Sequence, residues 1–197
     1  MPPQRKGASE SRGGKREQLV SAACGLFHQQ GVAATTLADI ADRSGVPLGN
    51  VYYYFKSRDD IVAAVVGARS REIQDLGALL EKRHRSPKAR LKALVSMVAD
   101  QREAITAYGC PYGTLCADLV SPHDDSSRSL AAGLMQSLVA WTEQQFQEMG
   151  RRDARALALE LVALYQGGAV VASALGDPDV LAQQARRMQR WLDSIEA

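Results

Sequence analysis

Thr35-Thr36-Leu37-Ala38-Asp39-Ile40-Ala41-Asp42-Arg43-Ser44-Gly45-Val46-Pro47-Leu48-Gly49-Asn50-Val51-Tyr52-Tyr53-Tyr54-Phe55 is the stretch on which the reading of this chain turns. Thr35 or Thr36 is placed to accept from the free N–H groups that open a short helix, Leu37 to Ser44. Leu37, Ile40 and Ala41 fall on one face of that helix. Gly45 stands where a positive φ is wanted to stop it. Val46 is an apolar turn residue, and Pro47 pre-sets the first turn of a second helix, Leu48 to Phe55. Two short helices joined by a three- or four-residue turn containing glycine form a helix-turn-helix.

Working outward, Leu19, Ala22, Ala23, Leu26 and Phe27 share a face at helical spacing, which predicts a helix over about 15–30 capped by Gly31. Residues 1–12, rich in Pro, Gly, Ser and charge, predict a disordered basic tail. Downstream, Ser57 and Asp60 form a capping-box pattern opening a long helix to about Arg83. Pro87 opens another to about Tyr108, and Gly109-Cys110-Pro111-Tyr112-Gly113 is a breaker cluster. Helices over about 114–120, 126–149 and 153–175 follow, and Asp177-Pro178 opens a last one. Hydrophobic residues make up 46% and alternating strand patterns are nearly absent. The expectation is an all-α chain of about nine helices. It divides into the tail (1–12), a helix-turn-helix domain (13–58) and a larger helical domain for ligand binding and dimerisation (59–197).

The net charge of +2 predicts no partner, but its distribution does. Residues 1–58 hold 8 basic against 4 acidic side chains, and the remainder 16 against 18. A basic end on a mildly acidic body suits a protein that presents that end to phosphates. No apolar run reaches the length of about 18 residues needed for a membrane span. The N-terminus lacks the apolar stretch of a signal peptide, so a cytoplasmic protein with reduced thiols is expected. A Gly-rich phosphate loop, a nucleophile elbow and paired carboxylates beside a histidine are all missing, which argues against an enzyme. Cys110, Cys116 and His123 match no standard metal-ligand spacing, and neither metal nor cofactor is expected.

The second helix of the pair carries the chemistry. Gly49 lets the backbone approach a base or phosphate closely. Asn50 can bond adenine in bidentate fashion or reach a phosphate. Successive helical residues point about 100° apart, so Tyr52, Tyr53 and Tyr54 cannot all be buried. Their hydroxyls suit phosphates and their rings suit thymine methyls. Val51 and Phe55, at i and i+4, are the expected buried pair. Lys56 and Arg58 stand at the start of the long helix, where side chain and helix N-terminus together suit the sugar-phosphate backbone.

Leu26-Phe27, Gly31, Thr35 to Ala41, Ser44-Gly45-Val46, Gly49 to Phe55 and Lys56-Ser57-Arg58 together resemble the tetracycline-repressor (TetR) family of one-component regulators, over about residues 15–66. The resemblance implies an N-terminal three-helix DNA-binding domain and a helical ligand domain. It also implies a homodimer joined by a four-helix bundle from the last two helices of each subunit. Thr36, Asn50, Tyr52, Tyr53, Tyr54 and Arg58 fall where family members contact operator DNA. Thr35, Arg43, Leu48, Gly49 and Lys56 complete the candidate DNA-binding set. Leu48 departs from the lysine common at its position and cannot neutralise a phosphate, which shifts weight to Arg43, Lys56, Arg58 and the tail (Arg5, Lys6, Arg12).

A regulator of this kind needs a two-state element biased by a ligand. The long helix from Ser57 joins the two domains and is the expected lever. Candidate pocket residues are Met97, Tyr108, Cys110, Tyr112, Leu115, Met135, Leu138, Trp141 and Tyr165, a mostly apolar set suited to a neutral or hydrophobic small molecule. The segment 153–175 is apolar on nearly all sides and must be covered. Leu161, Leu164, Gly168 and Val171, with Leu181, Met188 and Trp191 of the last helix, are therefore the candidate dimer interface. The function expected is a ligand-responsive repressor that binds a palindromic operator as a homodimer. Thiol sensing through Cys110 or Cys116, a helical enzyme and an interaction bundle that binds no DNA remain open alternatives.

Overall fold

The computed structural model describes residues 7–121 and 124–196, with side chains from Gly14 onward. The fold is all-α, with no strand among the described residues beyond one isolated bridge between Ser121 and Asp124. Among the described residues ten helices occur in order: α1 (Gly7–Ala34), α2 (Leu37–Ser44), α3 (Leu48–Tyr54), α4 (Arg58–Arg83), α5 (Pro87–Asp100), α6 (Arg102–Tyr108), α7 (Pro111–Leu119), α8 (Asp125–Glu148), α9 (Ala154–Leu175) and α10 (Pro178–Ser194). The chain divides into two compact units between Arg69 and Ser70, so α4 contributes to both.

The first unit follows its local signals closely. Gly31 has φ 83 and ψ 161, a backbone only glycine adopts readily, and it ends the regular part of α1. Thr36 caps α2: its hydroxyl accepts from the Asp39 N–H at 3.2 Å, while the Asp39 carboxylate accepts from the Thr36 N–H at 2.8 Å. Gly45 closes α2 in the left-handed region at φ 69. The Ser57–Asp60 box opens α4 in the same reciprocal way. Leu19, Ala23, Phe27, Ile40, Val46, Val51, Phe55, Ile61 and Val65 form the buried apolar set. Arg69 donates to the Cys24 carbonyl at 3.1 Å, tying α4 to α1.

Three boundaries differ from the sequence expectation. Helix α1 starts at Gly7, not near Lys15, so residues 7–12 belong to a helix. Ala8, Glu10 and Arg12 are good helix formers, which offsets Gly7 and Gly13. Residues 1–6 of the expected tail, with Arg5 and Lys6, lie outside the described residues, as do His123 and the Arg12 side chain. The expected helix 87–108 is two, broken at Gln101 (φ −94, ψ 9), where Arg102 donates to the Ala99 carbonyl. This break makes ten helices of the nine expected. Helix α7 begins at Pro111, three residues early. Proline is suited to a first helical turn, and the Cys110 sulfur accepts the Gly113 N–H at 3.4 Å.

In the second unit α8 packs on α5, α7 and α9, and α10 packs on α5, α6 and α9. Ile105, Cys110, Ala169, Ala172 and Leu181 form one core cluster. Arg90 fastens α5 to α8 through Gln145 (3.0 Å) and Glu148 (2.6 Å), and its Nε donates to the His84 carbonyl.

The two hydrogen bonds from Thr36 hold the Asp39 carboxyl below the usual carboxylate range. A carboxyl with a lowered folded-state pKa adds stability that is present above the ordinary carboxylate pKa and lost as pH falls through the folded value. Asp39→Ala is therefore expected to lower the thermal midpoint near neutral pH, and the gap to the parent is expected to shrink toward about pH 3. Circular-dichroism melts at the two pH values measure it.

Candidate nucleic-acid interface and ligand cavity

Helix α3 presents two opposite faces. Val51 is fully buried and Phe55, its C-cap, is 2% exposed, whereas Tyr52 and Tyr53 are 53% and 56% exposed. Tyr54 is half-buried and stands edge-on to Tyr53, their ring centroids 5.1 Å apart. Gly49 is open, since an added Cβ would meet nothing within 4 Å. The Asn50 carboxamide is half-exposed and makes no hydrogen bond among the described residues. Leu48 is 42% exposed and apolar. Lys56 reaches back over this face: its Nζ donates to the Tyr52 carbonyl at 3.1 Å and lies 5.9 Å from the Tyr53 ring centre.

Other candidates are placed differently from expectation. Thr35 is 4% exposed, and its hydroxyl donates to the Gly31 carbonyl at 2.8 Å, so it is part of the turn and not of the surface. Arg43 is exposed but paired with Gln29 at 3.0 Å, and Arg58 donates to the Val32 carbonyl. The N–H groups of Lys56 and Ser57, expected to meet phosphate at the start of α4, both donate to the Asp60 carboxylate. One cation was missed in the sequence. Arg16 of α1 lies over the Phe55 ring, 5.2 Å from its centre, and is exposed beside the end of α3. Only the folded chain brings residues 16 and 55 together.

The second unit encloses a cavity of about 110 Å³ lined by α4, α5, α6, α7, α8, α9 and α10. Met97, Tyr112, Leu138, Trp141 and Tyr165 line it as expected. Tyr108 does not, being 45% exposed, and Cys110 and Leu115 are in the core. Met135 is half-buried off the cavity wall. The residues by which the long helix α4 lines the cavity, Ile73, Leu76, Gly77 and Leu80, were not among the candidates. Its one available signal was Gly77, an isolated glycine within a long helical pattern, which commonly marks close packing. Here it marks Trp141: a Cβ at Gly77 would fall on the indole nitrogen, whose N–H donates to the Glu81 carboxylate at 3.0 Å. One indole therefore joins α8 to two successive turns of α4.

Both thiols proposed as sensors are buried. Cys116 is 8% exposed, donates to the Ala131 carbonyl, and has its thiol pushed up by burial first and by nearby Cys110 second. Cys110 is 3% exposed, and its sulfur accepts from Gln166 at 3.3 Å and from Gly113. The Tyr165 phenol lies beside that sulfur, and burial first and Cys110 second raise its ionisation above the usual phenol range. Cys110 is thus the hub of a packed polar knot.

Residues 19–65 match the family model described as bacterial regulatory proteins, tetR family. That segment, from α1 into α4, is of the tetR-family type. A helix-turn-helix transcriptional regulator from the lacX 3' region of Lactococcus lactis subsp. lactis is 30% identical over 118 residues, 58% of this chain and 60% of that protein. The TtgR regulator of Pseudomonas putida is 43% identical over 51 residues, 26% of this chain and 24% of that protein. The chain thus spans between a quarter and three-fifths of these two relatives. A TetR regulator from Legionella pneumophila has a TM-score of 0.78 at 18% identity, with 96% of this chain and 98% of that one covered. A regulatory protein TetR from Rhodobacter sphaeroides has 0.76 at 24%, covering 89% and 97%. At these identities the structural likeness establishes the fold.

The placement of the candidate dimer residues differs from expectation. Leu161, Leu181 and Met188 are at most 3% exposed, engaged inside the protomer, and Gly168 lies against Gln184 and Leu181 of α10. Trp191 packs edge-on to Phe146. The apolar side of α10 is thus covered within its own chain, and the last helix is not the bare surface expected. Leu164 is half-buried and Val171 is 48% exposed. The bare apolar residues on α9 also include Leu159, Val170 and Leu175, exposed by 48%, 68% and 69%. By length and composition α9 is apolar enough to cross a membrane, contrary to the sequence expectation, yet its other face packs on α6, α8 and α10.

Gly77→Ala is expected to lower stability by about 1–3 kcal/mol, because the methyl group overlaps the indole. The Trp141 emission should shift to the red as the ring leaves its site. A denaturant titration with fluorescence detection reads both.

Proposed function

We propose that this chain is a cytoplasmic transcriptional repressor that binds a palindromic operator as a homodimer and is released by a small molecule held in the second unit. The observation that carries the reading is the pair of exposed tyrosines, Tyr52 and Tyr53, on a helix anchored from behind by Val51 and Phe55. Two large aromatic side chains more than half exposed, next to open Gly49 and an unbonded Asn50 carboxamide, form a surface fitted to a groove. The rings supply thymine-methyl contacts, the hydroxyls supply phosphate contacts, and the carboxamide supplies base-edge recognition. Lys56, beside the Tyr53 ring, and Arg16, over the Phe55 ring, border this surface, and Thr36, Arg43 and Arg58 are the further contacts of this reading.

Homodimerisation is assigned to α8 and α9 in place of α9 and α10. Ala132, Gly133 and Ala140 of α8 are exposed and small, and Gly133 and Gly167 have no atom within 4 Å of an added Cβ. With Leu159, Ala163, Val170 and Val171 of α9 they offer a surface that a second copy can approach closely. Two such readers address half-sites about one helical turn, ~34 Å, apart. Helix α4 supports the release reading because it lines the cavity with Ile73, Leu76, Gly77 and Leu80 and begins at Arg58, beside α3.

Tyr53→Ala is expected to weaken binding to an operator fragment selected from genomic DNA by roughly ten-fold, with secondary structure and dimer retained. Unchanged affinity in a fluorescence-anisotropy titration would remove α3 from the interface. Val170→Asp should convert the dimer to a monomer in sedimentation equilibrium; a dimer of unchanged strength would place the interface elsewhere.

A further inference from the structure

We propose that the cavity takes a neutral, single-ring aromatic molecule with one uncharged polar substituent. Its ring would lie among Trp141, Tyr112 and Tyr165, and its substituent would point to Gln101. The assignment rests on the reading of this cavity as the effector site.

Four observations carry it. The first is size: an engineered protein cavity of about 150 Å³ holds benzene, so about 110 Å³ is the size of a single ring with slight movement of the walls and is too small for a fused polycycle. The second is charge. Among the described residues no Lys, Arg, His, Asp or Glu lines the cavity. A carboxylate or ammonium ion entering it would lose its water and find no counter-charge. The third is composition. Aromatics are 6% of the chain, yet three line this cavity, together with Met97 and Met188. Aromatic edges and faces and thioether sulfurs all favour an aromatic guest over an aliphatic one of equal size.

The fourth is the placement of polar groups. The Trp141 N–H is held by Glu81, the Thr142 hydroxyl donates to the Leu138 carbonyl at 2.9 Å, and the Tyr165 hydroxyl is engaged with Cys110. Gln101 differs. It is the exposed member of the lining set, so it marks the mouth, and its carboxamide makes no hydrogen bond among the described residues. The break between α5 and α6 falls at this residue. A carboxamide donates and accepts, so it suits a hydroxyl or carbonyl on the guest and supplies no charge.

The test uses the full chain with Trp191→Phe, which leaves Trp141 as the one tryptophan, and three probes: phenol, toluene and benzoate. Phenol and toluene should each change Trp141 emission saturably, and benzoate should bind at least about fifty-fold more weakly. Gln101→Leu should weaken phenol about five-fold and leave toluene unchanged. Val98→Phe, which fills the cavity, should abolish both. Should that variant misfold, the Gln101→Leu comparison still decides, since Gln101 is exposed. Benzoate binding as tightly as phenol overturns the proposal, as does equal weakening of phenol and toluene by Gln101→Leu. Operator retention on the same preparation separates this proposal from the broader reading. Operator-bound protein released by another compound class, with neither ring bound, overturns the ligand class alone. Rings bound by a chain that retains no DNA support the ligand class and overturn the regulator reading.

Discussion

Burial of Val51 and Phe55 behind a helix of seven residues is the constraint on which the recognition surface depends. A helix this short has too few internal hydrogen bonds to persist alone in water. Full burial of two side chains of this size contributes roughly 1.5–3 kcal/mol each. The helix exists because it is docked, and docking fixes its rotation. With Val51 and Phe55 turned inward, the 100° step places Tyr52 and Tyr53 outward and leaves Tyr54 at the edge. The same anchoring brings Phe55 under Arg16, so a cation from the first helix joins the surface.

How much of this was legible in the sequence varies with the range of the forces involved. The ends of α2 and the start of α4 were readable to the residue because Thr36, Asp39, Gly45, Ser57 and Asp60 act within one turn. The inward and outward faces of α3 followed from helical geometry alone. The cavity was half legible: Trp141, Tyr112 and Tyr165 are conspicuous by size, whereas Leu76 and Leu80 look like any other apolar positions on a long helix. The dimer set was least legible. Leu181 and Met188 are as apolar as Val170 and Leu175, and only the packing of α10 on α5, α6 and α9 distinguishes covered positions from bare ones. The split at Gln101 was hidden for a related reason, since the apolar periodicity continues on either side of it.

Trp141 gives the second unit its internal logic. A large ring set on Gly77, with its one polar atom satisfied by Glu81, makes α4 and α8 neighbours through a single side chain. Any guest touching that ring touches the joint between two long helices. The buried polar knot at Cys110 serves the opposite purpose. Gln166, Gly113 and Tyr165 converge on one sulfur and hold the start of α7 against α9, which keeps that wall fixed.

Asp60 carries one more consequence. Its carboxylate accepts the first N–H groups before α4, so the end of that helix is already neutralised by the protein's own anion. In the proposed complex fewer counterions would then be displaced from the duplex at that point, and the share of affinity that rests on tyrosine hydroxyls and the Asn50 carboxamide would change less with ionic strength than a lysine contact does. A reader built this way would lose less affinity as salt rises, and would give up some of the speed with which a more basic surface finds its site.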